Sequence, residues 1–332
     1  MIILKKANED KLSKLNPEQI KELLLRIDDI KLKYRDKLDL PKFVTFGVEI
    51  EFEDANTESV KRRLYLDFPE WKFDRDPSVT TLDLNDESLG GEVISPVLKD
   101  NDSNWQEIFK VCSLLDRCGA SISDLSGGHI HFGTQVLGYN KKYWLNLIKL
   151  WIIYEPLIYR FSFGERLGPR AGIFKFAVQL DKVLLKNLSS FENSVNLYEL
   201  LSYFPIDKYY SFNTCYVNPV KKGIIEGNTV EVRCPNGTVN PVIWQNNINF
   251  FAKLFLYCSD NNFDSEFINY KLDYLKDGII HYDYNDIYID EALELSDLVF
   301  SRELDKLYFL KQYLKDFSTI NCEADKKRIF KL

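Results

Sequence analysis

Glutamate recurs at every second position in the segment Phe46-Gly47-Val48-Glu49-Ile50-Glu51-Phe52-Glu53. Side chains alternate across a strand, so Glu49, Glu51 and Glu53 share one face and Phe46, Val48, Ile50 and Phe52 share the other. Like charges two apart repel, and glutamate is a poor strand former, so this face calls for solvent or for a cation. The same alternation returns in Gly127-Gly128-His129-Ile130-His131-Phe132-Gly133, where His129 and His131 share a face, and in Thr229-Val230-Glu231-Val232-Arg233, where Glu231 and Arg233 do. Glu92 follows a glycine pair in Gly90-Gly91-Glu92-Val93-Ile94-Ser95-Pro96. The chain holds three histidines, and two of them fall in this one HxH motif.

If these strands are neighbours, their polar faces form one site of Glu49, Glu51, Glu92, Glu231, one or two histidines and Arg233. Several carboxylates with few imidazoles suit the hard, oxygen-preferring ions Mg²⁺ or Mn²⁺ better than structural zinc. Arginine beside metal carboxylates suits an anion that must be clamped, because the guanidinium fork matches phosphate oxygens. Together they point to phosphoryl transfer, with ATP as the expected phosphate-bearing substrate and two or more ions to neutralise it. Glu53, at the end of the acidic face, is expected to be solvated rather than a ligand.

The elements that must position these residues can be read from the same periodicities. Asn16 is a plausible N-cap with Pro17 at the first helical position, and Ile20, Leu23, Leu24, Ile27 and Ile30 follow at helical spacing. Helices are predicted over Asn104–Cys118 (ended by Gly119), Asn140–Phe163, Val239–Leu256 and most of Asp290–Phe317; strands over Phe43–Glu53, Ser126–Thr134 and Thr229–Arg233. Strands separated by helices, with one polar face each, indicate an α+β domain whose sheet has one working face. The expected organisation is an N-terminal helical segment (1–40), a catalytic domain (41–256) and a C-terminal helical extension (257–332).

Composition excludes several classes. A net charge of −7 disfavours a nucleic-acid binder, and Lys61-Arg62-Arg63 and Lys326-Lys327-Arg328 read as solvated surface. The six cysteines form no CxxC pair, which removes zinc-cage and redox motifs. No run reaches the length of a membrane span, and the N-terminus lacks an apolar stretch with a cleavage site, so no membrane association and a cytoplasmic location are expected. The sequence does not choose an oligomeric state.

In order along the chain, FGVEIEFE, GGEVISP, GGHIHFG and TVEVRCPNGT resemble the amidoligases of the glutamine synthetase and glutamate–cysteine ligase superfamily, over about Phe46 to Phe251. Further echoes are Asp76-Pro77-Ser78, Tyr154-Glu155-Pro156 and Lys208-Tyr209-Tyr210-Ser211-Phe212-Asn213. The resemblance implies an ATP-dependent carboxylate–amine ligase that forms an amide through an acyl phosphate. It also implies a curved, mainly antiparallel sheet of glutamine synthetase catalytic type, with helices packed on its outer face. By that resemblance, Glu51 and Glu92 hold the metal near the acceptor, and Glu49, His129 and Glu231 hold the metal at the ATP phosphates. His131 and Asn213 lie near nucleotide or substrate, and Arg233 stabilises the transferring phosphoryl group, with Glu231 and Glu51 counted beside it as catalytic. Arg166 and Arg170 are both candidates for a substrate or phosphate contact, Arg170 preferred because it follows a Gly-Pro turn. Asp76 and Ser78 touch substrate or cap a turn. The acid and amine are left open among amino acids, peptides and protein tails. The alternatives are a guanidino-kinase-like phosphotransferase, an iron-binding cupin-type oxygenase or isomerase, which the long helices fit poorly, and a non-catalytic binding protein of ligase descent.

Overall fold

The computed structural model describes residues 11–76, 79, 89–122, 125–219 and 228–315. Pro77, Ser78, Cys322, Phe317 and the basic run 326–328 lie outside the described residues.

Six strands form one sheet: β1 (Phe46–Asn56), β2 (Lys72–Asp74), β3 (Leu89–Ile94), β4 (Gly128–Gly133), β5 (Phe212–Asn213) and β6 (Thr229–Val232). Their order across the sheet is β2-β3-β1-β4-β6-β5, and every neighbouring pair is antiparallel. The long central strand β1 therefore lies between β3 and β4, so the three motifs richest in carboxylate and imidazole are adjacent. In register, Glu51 faces Glu92 on β3, Glu49 faces His129 on β4, His131 faces Glu231 on β6, and Asn213 faces Glu231 from β5.

The expectation of a curved sheet of glutamine synthetase type is corrected here. The fold is α+β and the sheet antiparallel, but the sheet is open and neither closed nor strongly curled. Its edge strands are only three and two residues long, which leaves too little paired strand at the flanks to wrap around a concave centre.

The apolar face is covered by helices. Phe46 stacks on Trp105 of the helix Asp102–Arg117, with ring centroids 5.2 Å apart. Phe132 and Phe212 meet Phe255 of the helix Pro241–Cys258, and Phe212 meets Trp151 of the helix Lys141–Ser162. Lys141–Ser162 is buried on nearly all sides over its second half, as expected for a helix apolar all round. Asn16 caps the helix Pro17–Asp29 in a reciprocal capping box with Gln19. Gly119 ends Asp102–Arg117 at φ 81°, a left-handed conformation that suits glycine.

The stretch expected to be largely helical from Asp290 holds two helices, Ile289–Val299 and Glu303–Tyr313. Buried ion pairs tie these late helices to early segments. Asp305 receives Arg35 at 2.6 Å and Lys253 at 2.7 Å, while Asp297 accepts the backbone N–H of Leu12 and the Lys306 ammonium. One hydrophobic cluster runs from Leu12 to Leu314.

Candidate active site

Strand parity brings the polar residues together as the sequence indicated. Glu49 lies at the centre of the face: one carboxylate oxygen meets His129 Nδ1 at 3.0 Å and the other meets His131 Nε2 at 2.9 Å. Burial works against ionising Glu49, but these hydrogen bonds and the imidazole charges hold its carboxyl well below the ordinary range. His131 is raised in turn: burial opposes its charge, and Glu49 and Glu231 favour it. Its ring meets the edge of Tyr216 at 5.5 Å.

Glu231 is buried and held at both oxygens. Asn213 Nδ2 donates to one at 2.6 Å, and Arg233 Nη1 donates to the other. Asn213 is itself oriented by accepting the Cys215 N–H at 2.8 Å. Arg233 Nε donates to the Phe176 carbonyl at 3.1 Å, and its guanidinium lies 6.0 Å from the Tyr209 ring centre.

Among the described residues two groups offer ligand atoms that lie, within each group, no more than 4.8 Å apart: Glu49, His131 and Glu231, and separately Glu51, Asp76 and Glu92. The resemblance sets His129 with Glu49 and Glu231, and the structure brings both imidazoles to that pair: His129 Nδ1 lies 3.0 Å from Glu49 and 3.7 Å from Glu231, while its Nε2 lies 3.5 Å from Glu51, so His129 also reaches the second group. Its Nε2 is buried without a hydrogen bond. Asp76, expected to contact substrate or cap a turn, completes the second group. It follows β2, where no periodicity marks it.

The donor sets fit a divalent cation. Both groups are rich in carboxylate oxygen, and an imidazole nitrogen buried without a hydrogen bond lies between them. Like charge is concentrated at the second group: burial, then Glu49, Asp76, Glu51 and Asp74, push the Glu92 carboxyl up to about 8 from its ordinary 4.5. A group raised in the folded state stabilises fully below the unfolded value and loses that contribution as pH rises through the folded one. Metal-free protein is therefore expected to lose thermal stability as pH rises from about 4.5 to about 8. Glu92→Gln should flatten that slope, and Mg²⁺ or Mn²⁺ should restore stability at the alkaline end. Thermal melts with and without chelator check this, and an unchanged slope in Glu92→Gln would remove Glu92 as its source.

Arg170 and Arg166 are separated by the fold. Arg170 is 2% exposed and lines a small cavity of about 90 Å³ with Glu51, Asp76, Lys208, Tyr209 and Arg233, whereas Arg166 does not line it. Among the described residues Arg170 makes no ion pair; its Nη groups reach the carbonyls of Pro235 (3.4 Å) and Arg233 (3.3 Å), and its Nε is buried without a hydrogen bond. Burial lowers its pKa, with Glu51 opposing. Gly127 makes this seat available: a Cβ there would lie 1.7 Å from Arg170 Nη1, and the Gly127 N–H donates to Glu51. A larger cavity of about 340 Å³ opens at the other end of the face, beside Glu49 and His131, lined by Gly47, Val48, Ser95, Pro96, Gln135 and Thr229.

Glu53 is not solvated. It is 6% exposed and accepts a hydrogen bond from Ser126 Oγ at 3.2 Å, so the acidic face continues into the interior. Among the described residues no helix is long and apolar enough to cross a membrane.

A protein-family model described as "Putative amidoligase enzyme" matches residues 14–255. The match includes every residue of the polar face and also the helix Pro17–Asp29, which lay outside the resemblance seen in the motifs. No curated protein matches the chain.

Proposed function

The chain belongs to the amidoligase family, and from that premise we propose that it is an ATP- and Mg²⁺- (or Mn²⁺-) dependent carboxylate–amine ligase, related to the glutamine synthetase and glutamate–cysteine ligase superfamily. The observation that carries this reading is the pair of carboxylate groups on adjacent strands, each opening on its own cavity, with Arg233 beside both.

The larger cavity has the volume of a small-ligand site and suits ATP, with its phosphates directed at Glu49, His131 and Glu231. The smaller cavity suits the acceptor carboxylate, facing Arg170, Arg233 and Lys208. Divalent ions held by Glu49, His131 and Glu231 and by Glu51, Asp76 and Glu92, with His129 between them, would neutralise triphosphate and carboxylate. Arg233 then meets the charge that develops on the transferring phosphoryl group, while Asn213 and Arg233 fix Glu231. The acceptor carboxylate oxygen attacks the γ-phosphorus, ADP leaves, and an acyl phosphate forms. The amine attacks its carbonyl carbon, phosphate leaves, and the amine proton passes to a carboxylate of the second group or to the phosphate. A guanidino acceptor fits less well, because the small cavity would set its cation against three others.

The test is ADP release from purified protein that requires Mg²⁺, an acid and an amine together. Glu49→Gln is expected to lower that rate at least about 10³-fold, because it removes one shared partner of both imidazoles and a charge of the first group. ATP binding with no dependence on acid and amine, over a broad panel, would end the case for ligation.

A further inference from the structure

Glu155 lies in the middle of the helix Lys141–Ser162, 0% exposed, and is not one of the residues facing metal or substrate. Four donors converge on its carboxylate. Trp151 Nε1 reaches one oxygen at 2.8 Å, Ser211 Oγ donates to the same oxygen, the Leu180 N–H reaches both at 2.9 and 2.8 Å, and the Asp181 N–H lies 2.6 Å from the other. Leu180 is the N-cap of the helix Asp181–Asn193 and has no capping side chain of its own, so Glu155 caps it from a distant part of the chain.

Both segments that Glu155 holds also grip Arg233. On one side, the Ser211 carbonyl accepts the Arg233 backbone N–H at 2.8 Å. On the other, the Phe176 carbonyl accepts Arg233 Nε at 3.1 Å, a few residues before the Leu180 and Asp181 amides. The two segments are further joined by Val178, whose N–H donates to Tyr209 (2.7 Å) and whose carbonyl accepts from Ser211 (2.8 Å). A fully buried carboxylate is costly unless its hydrogen bonds are complete, so its retention here calls for a local purpose.

We infer that Glu155 is a positioning residue for Arg233, setting the guanidinium through Ser211 and through the segment 176–181. This rests on Arg233 acting on the phosphoryl group, as proposed above. Ser211→Ala cuts one link with little change of volume, and Glu155→Gln keeps the shape while turning an amide N–H₂ toward other donors.

The experiment measures ADP formation, Mn²⁺ binding and urea unfolding for wild type, Ser211→Ala, Glu155→Gln, Arg233→Ala and the Ser211→Ala/Arg233→Ala double variant. Ser211→Ala is expected to lower kcat about tenfold, with Glu155→Gln lower still. KM for ATP and the affinity for Mn²⁺ alone should stay within about twofold in Ser211→Ala, since general loosening would weaken both. In the Arg233→Ala background the Ser211→Ala change should add no further loss of kcat, because the group it positions is gone. A full tenfold loss in that background, or wild-type kcat in Ser211→Ala, overturns the inference. If wild type forms no ADP with any acid and amine, ligation is what has failed, and the urea cycle decides the coupling instead. Non-additivity of about threefold or more in the unfolding constants then supports the link, and anything less overturns it.

Discussion

Arg233→Ala is expected to lower ATP-dependent turnover about 10³- to 10⁵-fold while the KM for ATP moves little. The side chain is 7% exposed and fixed at both ends of its guanidinium, to Glu231 and to the Phe176 carbonyl. Burial opposes its charge, but Glu231, Glu49 and Glu51 together raise its pKa, so it is a permanent cation in a partly dry site. In the proposed reaction, a cation held there beforehand would cost no reorganisation as charge moved onto the phosphoryl oxygens. Mn²⁺ binding to Arg233→Ala should persist, since Glu231 keeps Asn213 on its other oxygen. Arg233→Lys should recover only a small part of the rate. An ammonium cannot donate to Glu231, Phe176 and a phosphate in the fork geometry of arginine. Single-turnover ADP formation separates this from a binding defect. An effect of less than about tenfold would mean that Arg233 serves folding rather than catalysis.

Gly127→Ala is expected to cost at least about 3 kcal/mol of stability and most activity. The backbone is no obstacle, because Gly127 is not among the glycines with positive φ. The obstacle is Arg170, whose guanidinium occupies the place of the missing side chain, 1.7 Å from the new Cβ at its Nη1. That guanidinium is buried and held by the carbonyls of Pro235 and Arg233, so its displacement strands a charge without moving it to water. The Gly127 N–H also holds Glu51, so the second carboxylate group would be disturbed by the same change. Urea denaturation of Gly127→Ala, compared with Gly127→Ala/Arg170→Met, tests the argument. Removing the guanidinium should return much of the lost stability, and no recovery would place the strain elsewhere.

Much of the site was readable because its chemistry sits on strands. Alternation paired Glu49 with Glu51, His129 with His131 and Glu231 with Arg233, each on one face of its own segment, and the pairing of β1, β4 and β6 brings those strands side by side. Parity gives a face but not a position along the partner strand. Only the β4–β6 register sets His131 opposite Glu231 and leaves His129 between the two groups. Asp76 and Arg170 escaped firm assignment for a related reason: one follows the end of β2 and the other a Gly-Pro pair, outside regular elements, where spacing imposes no direction on the side chain. Glu53 was misjudged because its partner, Ser126, comes from a segment distant in sequence. The openness of the sheet was equally hidden, since alternation says nothing of how many residues pair at an edge.

The register of β1 has a consequence for how such a protein can change over generations. Glu49, Glu51 and Glu53 are consecutive teeth of one ratchet, interleaved with Val48, Ile50 and Phe52, which are at most 1% exposed. Deleting a single residue ahead of Glu49 exchanges the two sets, sending carboxylates toward the helices and aliphatic groups toward the ligand cavities. Loops joining the strands can lengthen or shorten freely, and individual side chains can be tried one at a time. Inside β1, however, the genetic step that the architecture rejects outright is a change of length by an odd number.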